Sequence, residues 1–390
     1  MNPRKPTTKR EVETQFFNYD NTRDPLKLVC GTCLPQFTLA YEIYGKINAD
    51  ASNVILLFHA MTGSQHAAGI NRHVPGLDGR WTEEMHEGWW NGFVGPGKAL
   101  DTAKYAVVCA NYLGGCYGST GPASPNPATK KRWGSKFPVI RIKDIVDSQI
   151  RLLDHLGVTR LHAVVGSSVG GFMALSLATR YPERVGTVIP IGTGTETTIF
   201  QRILNFEQIT AIEGDPNFRG GDYEPAKPPA TGLALARRIA HKTFISLPAL
   251  QRRARKEIVS DAPVFSWYAM NSSVESYMLY QGNKFVKRFD ANSYLRILDA
   301  WQWFDLLAEG DADTFTRLFT RCRQQKFLVF SIDTDESFPV AEQEKLVKRL
   351  KAARVPVTWI TVHSDKGHDS FLLEPHLFAP HVIQTLGGRS

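Results

Sequence analysis

Residues 161–179, LHAVVGSSVGGFMALSLAT, restrict the possible folds more than any other stretch of this chain. An apolar run from Leu161 to Val165 ends in small residues. Apolar positions then return at helical spacing, with Phe172, Leu175 and Leu177, until Pro182 stops the pattern. The reading is strand, tight turn and helix in immediate succession. Within it lies Gly166-Ser167-Ser168-Val169-Gly170, a G-x-S-x-G. A nucleophile elbow needs this context: the serine sits on a strained strand-to-helix turn, its flanking glycines avoid clashes, and its Oγ projects above the sheet edge. The bare pentapeptide also occurs in packing and phosphate loops, but the β-like run before it and the Ala/Leu-rich helix after it select the elbow. Ser168 is the expected nucleophile. The N–H of Val169, opening the helix, is aimed to stabilise a developing oxyanion.

The flanking sequence extends the pattern. Phe37 to Ile43 alternates as a half-buried strand does, within a hairpin expected over Val29 to Tyr44. Asn53 to His59, Lys104 to Ala110 and Arg184 to Ile191 are continuous apolar runs, as in parallel strands buried on both faces. Ile140 to Leu156 is amphipathic at helical period. Strands alternating with helices predict a doubly wound, mostly parallel α/β sheet. From residue 192 to residue 323 the pattern changes to helices alone: Phe200–Glu213, Gly232–Leu247, Leu250–Ile258, Ser273–Lys287, Tyr294–Leu307 and Asp313–Arg323. Strand and helix then alternate again: Phe327–Ile332, Val340–Ala353, Val357–Val362 and Pro375–Leu386. The expected organisation is a polar N-terminal arm (1–28), a first part of the core (29–191), a helical lid (192–323) inserted after the sixth strand, and a second part of the core (324–390).

A serine hydroxyl is a poor nucleophile until a base takes its proton, so a histidine and an orienting carboxylate must follow, in the order acid then histidine. Two loops after strands supply both. One carries Asp333 and Asp335, the other His363 and His368. His368, preceded by Gly367 and followed by a helix, is the preferred base over His363. Asp335 lies further into its loop than Asp333, which suits a cap or turn. Spacing alone leaves both alternatives open.

Composition narrows the function classes. The net charge of +8 raises the question of nucleic acid, yet the densest basic block, Arg237 to Lys256, lies on a helical pattern without a reading module. A solvated helix face accounts for most of it, and no nucleic-acid partner is expected. No apolar run reaches the length of a membrane span, and MNPRKPTTKREVETQ is too polar for a secretory signal, so a cytoplasmic location is expected. Five cysteines, an odd number in a long chain, argue against a disulfide framework. Cys30-Gly-Thr-Cys33 lacks the second pair a zinc site would need, and no metal is expected.

Several long motifs in colinear order resemble the homoserine O-acetyltransferases of the α/β-hydrolase fold. They are HAMTG (59–63), NYLGGCYGSTGP (111–122), the elbow, GDPNFRGGD (214–222), GLALAR (232–237), RFDANSYL (288–295) and GHDSFLLE (367–374), and the likeness runs from about residue 30 to the C-terminus. The resemblance implies an acyl-CoA:L-homoserine acyltransferase of methionine biosynthesis with triad Ser168, Asp335 and His368, acetyl-CoA as co-substrate and no bound cofactor. It implies an oxyanion hole from the backbone N–H groups of Met61 and Val169, with Arg237 on the amino acid's carboxylate and Asp369 on its ammonium. It also implies a homodimer paired through the lid helices. The chain departs from the family pattern in three places. The elbow reads GSSVGGF where GGSMGGM is usual, Phe244 stands where relatives have tyrosine, and the acid loop reads TDESFP. Ser337 occupies the position where succinyl-using relatives tend to carry arginine, which favours acetyl. L-serine as acceptor, succinyl-CoA as donor and a lid-bearing serine ester hydrolase are the alternatives. Homoserine and serine differ by one methylene, worth only about 1–3 kcal/mol in a pocket.

Overall fold

The computed structural model describes residues 10–77, 79–254 and 266–387. Eight strands form the central sheet: β1 (Gln15–Asp20), β2 (Gln36–Tyr44), β3 (Val54–Phe58), β4 (Ala106–Ala110), β5 (Leu161–Ser167), β6 (Val185–Ile191), β7 (Lys326–Ile332) and β8 (Val357–Val362). Their order across the sheet is β1-β2-β4-β3-β5-β6-β7-β8. β1 is antiparallel to β2 and β2 to β4, and every later pairing is parallel.

The apolar runs place the strands. Every residue of β3 and β4 is buried, as strands covered on both faces must be. Alternate residues serve two cores. Leu56, Val108, Val164 and Val188 pack with the helices α1 (Ile142–His155), α2 (Val169–Arg180) and, through Leu346 and Leu350, α10 (Val340–Ala352). Ile55, Val107, Val165 and Ile189 pack on the opposite face with Phe378, Val382 and Leu386 of α12 (Pro375–Gly387). α1 turns Ile142, Ile145, Leu152 and Leu153 inward, as its amphipathic spacing predicts.

Between β6 and β7 the described residues hold helices alone: α3 (Ile199–Glu213), α4 (Ala230–Phe244), α5 (Leu247–Ala254), α6 (Ser273–Val286), α7 (Ala291–Gln302), α8 (Leu306–Glu309) and α9 (Phe315–Thr320). The two ends of this helical segment are joined to each other. Thr197 N donates to Phe304 O (3.0 Å) and Leu306 N to Thr195 O (2.9 Å). Glu309 reaches Ser176 on α2 (2.7 Å). The segment is thus anchored on the helix that follows the elbow.

Several expectations change. The helix foreseen over Tyr294–Leu307 runs from Ala291 only to Gln302, because Trp303 leaves helical geometry (φ −106°, ψ 12°), and Leu306–Glu309 is a separate helix. The helix foreseen over Gly232–Leu247 ends at Phe244 because Ile245 is extended (φ −121°, ψ 134°). Its successor starts at Leu247 rather than Leu250, with Pro248 in its first turn where proline fits, and the remainder foreseen to Ile258 lies outside the described residues. The long strand β2 does not pair with a strand from Val29. Its antiparallel partner is β1, and Leu26–Lys27 with Cys33–Leu34 forms only a small separate hairpin. The polar arm expected over residues 1–28 therefore contains a sheet strand. The burial of Phe17 beside the half-buried Phe16 and Tyr19 holds it there despite the polar residues between them. Residues 1–9 lie outside the described residues.

The elbow is as strained as its motif demands. Ser168 has φ 57° and ψ −128°, a left-handed φ that costs a β-carbon-bearing residue about 1–3 kcal/mol. Gly170 permits the crossing beneath it, because a Cβ there would lie 2.5 Å from Phe58 O and 2.7 Å from His59 O. Gly170→Ala is expected to lower stability by about 1–3 kcal/mol, the typical cost of overpacking, read as a lower denaturant midpoint. An unchanged midpoint would contradict this packing of α2 against the end of β3.

Candidate active site

The loops leaving the carboxyl ends of β3, β5 and β8, with residues of the helical segment, border one cavity of about 190 Å³, lined by Met61, Ser168, Arg237, Phe244, Arg288, Trp301, His368 and Asp369, among others. Parallel strands make this inevitable, since all their following loops leave from the same edge. Ser168 is fixed by its N–H to Ile191 O (2.9 Å) and is 5% exposed.

Behind the serine, His368 Nδ1 lies 2.6 Å from Asp335 Oδ2, with both residues buried. Asp335 Oδ1 accepts the Phe338 N–H at 2.8 Å, so the carboxylate cannot rotate away. With Nδ1–H donated to Asp335, the Nε2 lone pair is left free, and among the described residues Nε2 has no hydrogen-bond partner. No hydrogen bond joins it to Ser168 Oγ in this unliganded state, a looseness common before substrate arrives. Phe338 stacks on the imidazole at 5.4 Å, and Phe371 meets it edge-on at 5.4 Å. Burial among these rings would lower the imidazole pKa. The charge and hydrogen bond of Asp335, helped by the charge of Asp369, outweigh it and leave the pKa raised above 6.5. Gly192, following β6 at φ +52°, passes close by, and a Cβ on it would sit 3.1 Å from Asp335 Oδ2.

The structure places the two alternatives left open by spacing in different surroundings. His363 and Asp333 pair with each other at 2.9 Å at the surface, where His363 is 84% exposed, and neither borders the cavity. The second chain of the sequence reading thus closes on itself outside the site.

Opposite the histidine, the loop after β3 carries Met61 on a turn closed by Gly63 N to Ala60 O (2.9 Å). His59 anchors that turn from below. Its Nδ1 donates to Ala60 O (2.7 Å), its ring stacks on Tyr112 at 3.7 Å, and burial lowers its pKa to about 4, so it stays neutral. Val169 is the first residue of α2, where an N–H has no intrahelical acceptor. Neither the Met61 nor the Val169 N–H is bonded to a backbone carbonyl among the described residues.

Arg237 does not lie on the solvated face expected for its basic block. It is partly buried at the cavity between two rings, 5.3 Å from the Phe244 centroid and 5.0 Å from that of Phe285. Among the described residues it makes no ion pair. Desolvation, then the like charge of Arg288, lowers its pKa. Asp369 borders the same cavity, and desolvation raises its carboxyl pKa against the opposing pull of His368 and Arg237. The arginine and the aspartate face one space without closing on each other. The sequence reading gave no role to Arg288, although it opens one of the colinear motifs, and it gave none to Trp89 and Trp301, which also border the cavity.

Among the described residues no three His, Cys, Asp or Glu side chains are grouped to hold a metal ion, and no helix is long and apolar enough to cross a membrane. Cys30 and Cys33 are exposed and unlinked.

Comparison with known proteins places this geometry. The model of the α/β hydrolase fold family matches residues 53–375. Homoserine O-acetyltransferase of Rhodospirillum rubrum is 44% identical over 367 residues, covering 93% of this chain and 89% of the relative. Homoserine O-succinyltransferase of Alkalilimnicola ehrlichii is 40% identical over 363 residues, covering 93% and 91%. Among solved structures, homoserine O-acetyltransferase of Bacillus anthracis superposes with a TM-score of 0.85 at 27% identity over 98% of this chain and 99% of its own. Esterase E22 does so with a TM-score of 0.84 at 26% identity over 96% and 100%.

The buried pair sets a pH expectation. Because Asp335 raises the His368 pKa, the neutral base accumulates as pH rises through a value above 6.5. Asp335→Asn removes that upward pull, so the acidic limb of Ser168 labelling by a serine-reactive phosphonate is expected to move to lower pH. The plateau rate should fall about 10³- to 10⁴-fold as the imidazole loses its orienting partner. A limb that stays in place would separate Asp335 from the base.

Proposed function

The chain belongs to the homoserine O-acetyltransferases of the α/β-hydrolase fold, and we propose that it transfers the acetyl group of acetyl-CoA to the side-chain hydroxyl of L-homoserine through an acyl-Ser168 intermediate, a step of methionine biosynthesis in the cytoplasm. The observation that carries the acceptor is the open pair Arg237 and Asp369 beside Ser168. A zwitterion needs one cation and one anion at a fixed separation, and an uncharged ester needs neither. Arg237 offers a bidentate fork to the carboxylate and Asp369 receives the ammonium.

In the first half-reaction His368 Nε2 takes the proton of Ser168 Oγ, which bonds to the thioester carbonyl carbon. The oxyanion is met by the N–H groups of Met61 and Val169. As the carbon–sulfur bond breaks, Nε2 returns the proton to the departing CoA sulfur. In the second, the homoserine hydroxyl gives its proton to Nε2 and attacks the acyl carbon. Collapse releases O-acetylhomoserine, and the proton goes back to Ser168 Oγ. Asp335 stabilises the imidazolium at both stages and remains ionised.

The acetyl donor is favoured by buried Ser337, two residues after the acid, which supplies no cation for a second carboxylate. Residues 192–323 act on this reading as a lid that keeps water from the acyl-enzyme. Helix α3 of that segment bears a stripe left exposed by the described residues: Ile199, Phe200, Ile203 and Phe206 are 79%, 52%, 52% and 65% exposed. A second copy of the chain is the proposed occupant, giving a homodimer through the lid helices.

Mixing enzyme, acetyl-CoA and homoserine is expected to release free thiol in proportion to homoserine, with a product heavier than homoserine by one acetyl group. Thiol release that ignores homoserine and yields acetate would favour an esterase, and turnover of succinyl-CoA in its place would reassign the donor. Arg237→Met should raise the homoserine KM about 10- to 100-fold, the worth of a charge-assisted hydrogen bond. Sedimentation should give about twice the 43.6 kDa chain mass, and Phe206→Glu should lower it toward the monomer.

A further inference from the structure

Arg288, the second cation of the cavity, touches three separate parts of the core. It lies just beyond α6, with its N–H on Phe285 O at 3.1 Å and its guanidinium 5.1 Å from the Phe285 centroid. Its Nη1 donates to the carbonyl oxygen of Thr62 (3.2 Å) and to the hydroxyl oxygen of Tyr117 (2.9 Å). Its Nε faces Glu84 Oε1 at 3.4 Å, and Glu84 also pairs with Lys284. Unlike Arg237, it has an acidic partner and two oxygen acceptors in the protein.

Thr62 follows Met61 on the turn after β3. The turn's other cavity-side anchor, the carbonyl of Ala60, receives both Gly63 N–H and the His59 ring. The Thr62 carbonyl receives Arg288 alone among the described residues. Without a donor there, the Thr62–Gly63 peptide is held only by its Gly63 N–H on Ala60 O, and because that carbonyl shares a peptide unit with the Met61 N–H, a tilt of the first is passed to the direction of the second. A misdirected donor acts in the transition state, where the oxyanion exists, far more than in the ground state.

We propose that Arg288 is a positioning residue for the oxyanion hole: supplied by the helical segment between β6 and β7, it holds the Thr62 carbonyl so that the Met61 N–H points at the reacting oxygen. This rests on the reading of Met61 as an oxyanion donor. The hole is then complete only while the helical segment is docked on the core, and Glu84 and Tyr117 hold the guanidinium in the plane that reaches Thr62. A single ammonium cannot serve Thr62, Tyr117 and Glu84 at once, so the position needs arginine's fork.

The test uses p-nitrophenyl acetate, which carries neither CoA nor an amino acid, together with the burst of free thiol from acetyl-CoA. Arg288→Met is expected to lower kcat on the ester about 10-fold or more with KM within about twofold, and to slow the thiol burst by the same factor. Arg288→Lys should recover part of that loss, and the neighbouring surface change Lys287→Met should leave both rates at the wild-type value. Wild-type kcat in Arg288→Met overturns the proposal. So does a defect confined to the KM of acetyl-CoA or homoserine, which would make Arg288 a substrate contact. If Arg288→Met does not fold, Arg288→Lys decides, and a wild-type kcat there overturns the proposal. Wild-type enzyme that neither releases nitrophenolate nor accepts a phosphonate on Ser168 would sink the reading of the site itself, a failure distinct from any effect at residue 288.

Discussion

The hydrogen bond between Asp335 and His368 is the contact on which the arrangement of the molecule depends. It joins the loops after β7 and β8, at 2.6 Å, over a serine carried by β5. Those loops meet because the strands are parallel and leave the sheet at one edge. The geometry also has a chemical cost, since a carboxylate and an imidazole are both taken out of water. The cost is tolerable because every exposed valence is used: Asp335 has Phe338 N–H on one oxygen and the imidazole on the other. One ring nitrogen is left over, and it faces the chemistry. Gly192 lies against the same pair, so the sixth strand must end in a residue without a side chain. A single buried contact thereby constrains three loop sequences that are distant in the chain.

What the sequence made legible follows from how local each signal is. The elbow could be read because its strand, turn and helix lie within residues 161–179, although Gly170 and Gly171 are required by contacts with Phe58, His59 and Thr193, far away in the chain. The buried strands could be read because apolar runs of that length have few other uses. Asp335 over Asp333, and His368 over His363, were preferred, and the resemblance named them, but spacing alone could not decide, because each pair occupies similar positions after the same two strands. Only the three-dimensional pairing separates a surface ion pair from a buried one. β1 was missed for a related reason: its two half-buried aromatics are balanced by polar residues, and it becomes a strand only through the register offered by β2. Arg288 was visible as part of a motif, but its work is done on a carbonyl more than two hundred residues away, and no periodicity carries that information.

The fold does not by itself choose between transfer and hydrolysis, since esterase E22 shares the architecture over nearly its whole length. The choice has to arise in the cavity, where the acyl-enzyme meets either water or an amino acid. On the proposed reading, Arg237 is the group that treats these two differently. A partly desolvated guanidinium that makes no ion pair among the described residues is unfavourable, and the faces of Phe244 and Phe285 offset the cost only in part, at about 0.5–2 kcal/mol for each cation–π contact. The remainder is recovered when a carboxylate arrives. Water cannot supply that gain, because a neutral molecule leaves the charge uncompensated.

On the proposed reading, the same asymmetry orders the second half-reaction. Asp369 follows His368 directly in the chain, so the group that receives the ammonium and the group that takes the hydroxyl proton share one short helical turn, Gly367–Asp369. Binding the zwitterion at Arg237 and Asp369 therefore delivers its side-chain hydroxyl to Nε2 without a further contact, which converts binding free energy into orientation. A water molecule reaching the same nitrogen has no such tether and must find its attack geometry unaided. Transfer is favoured over hydrolysis because the acceptor's ammonium and its hydroxyl are met by residues one position apart, with Arg237 holding the carboxylate.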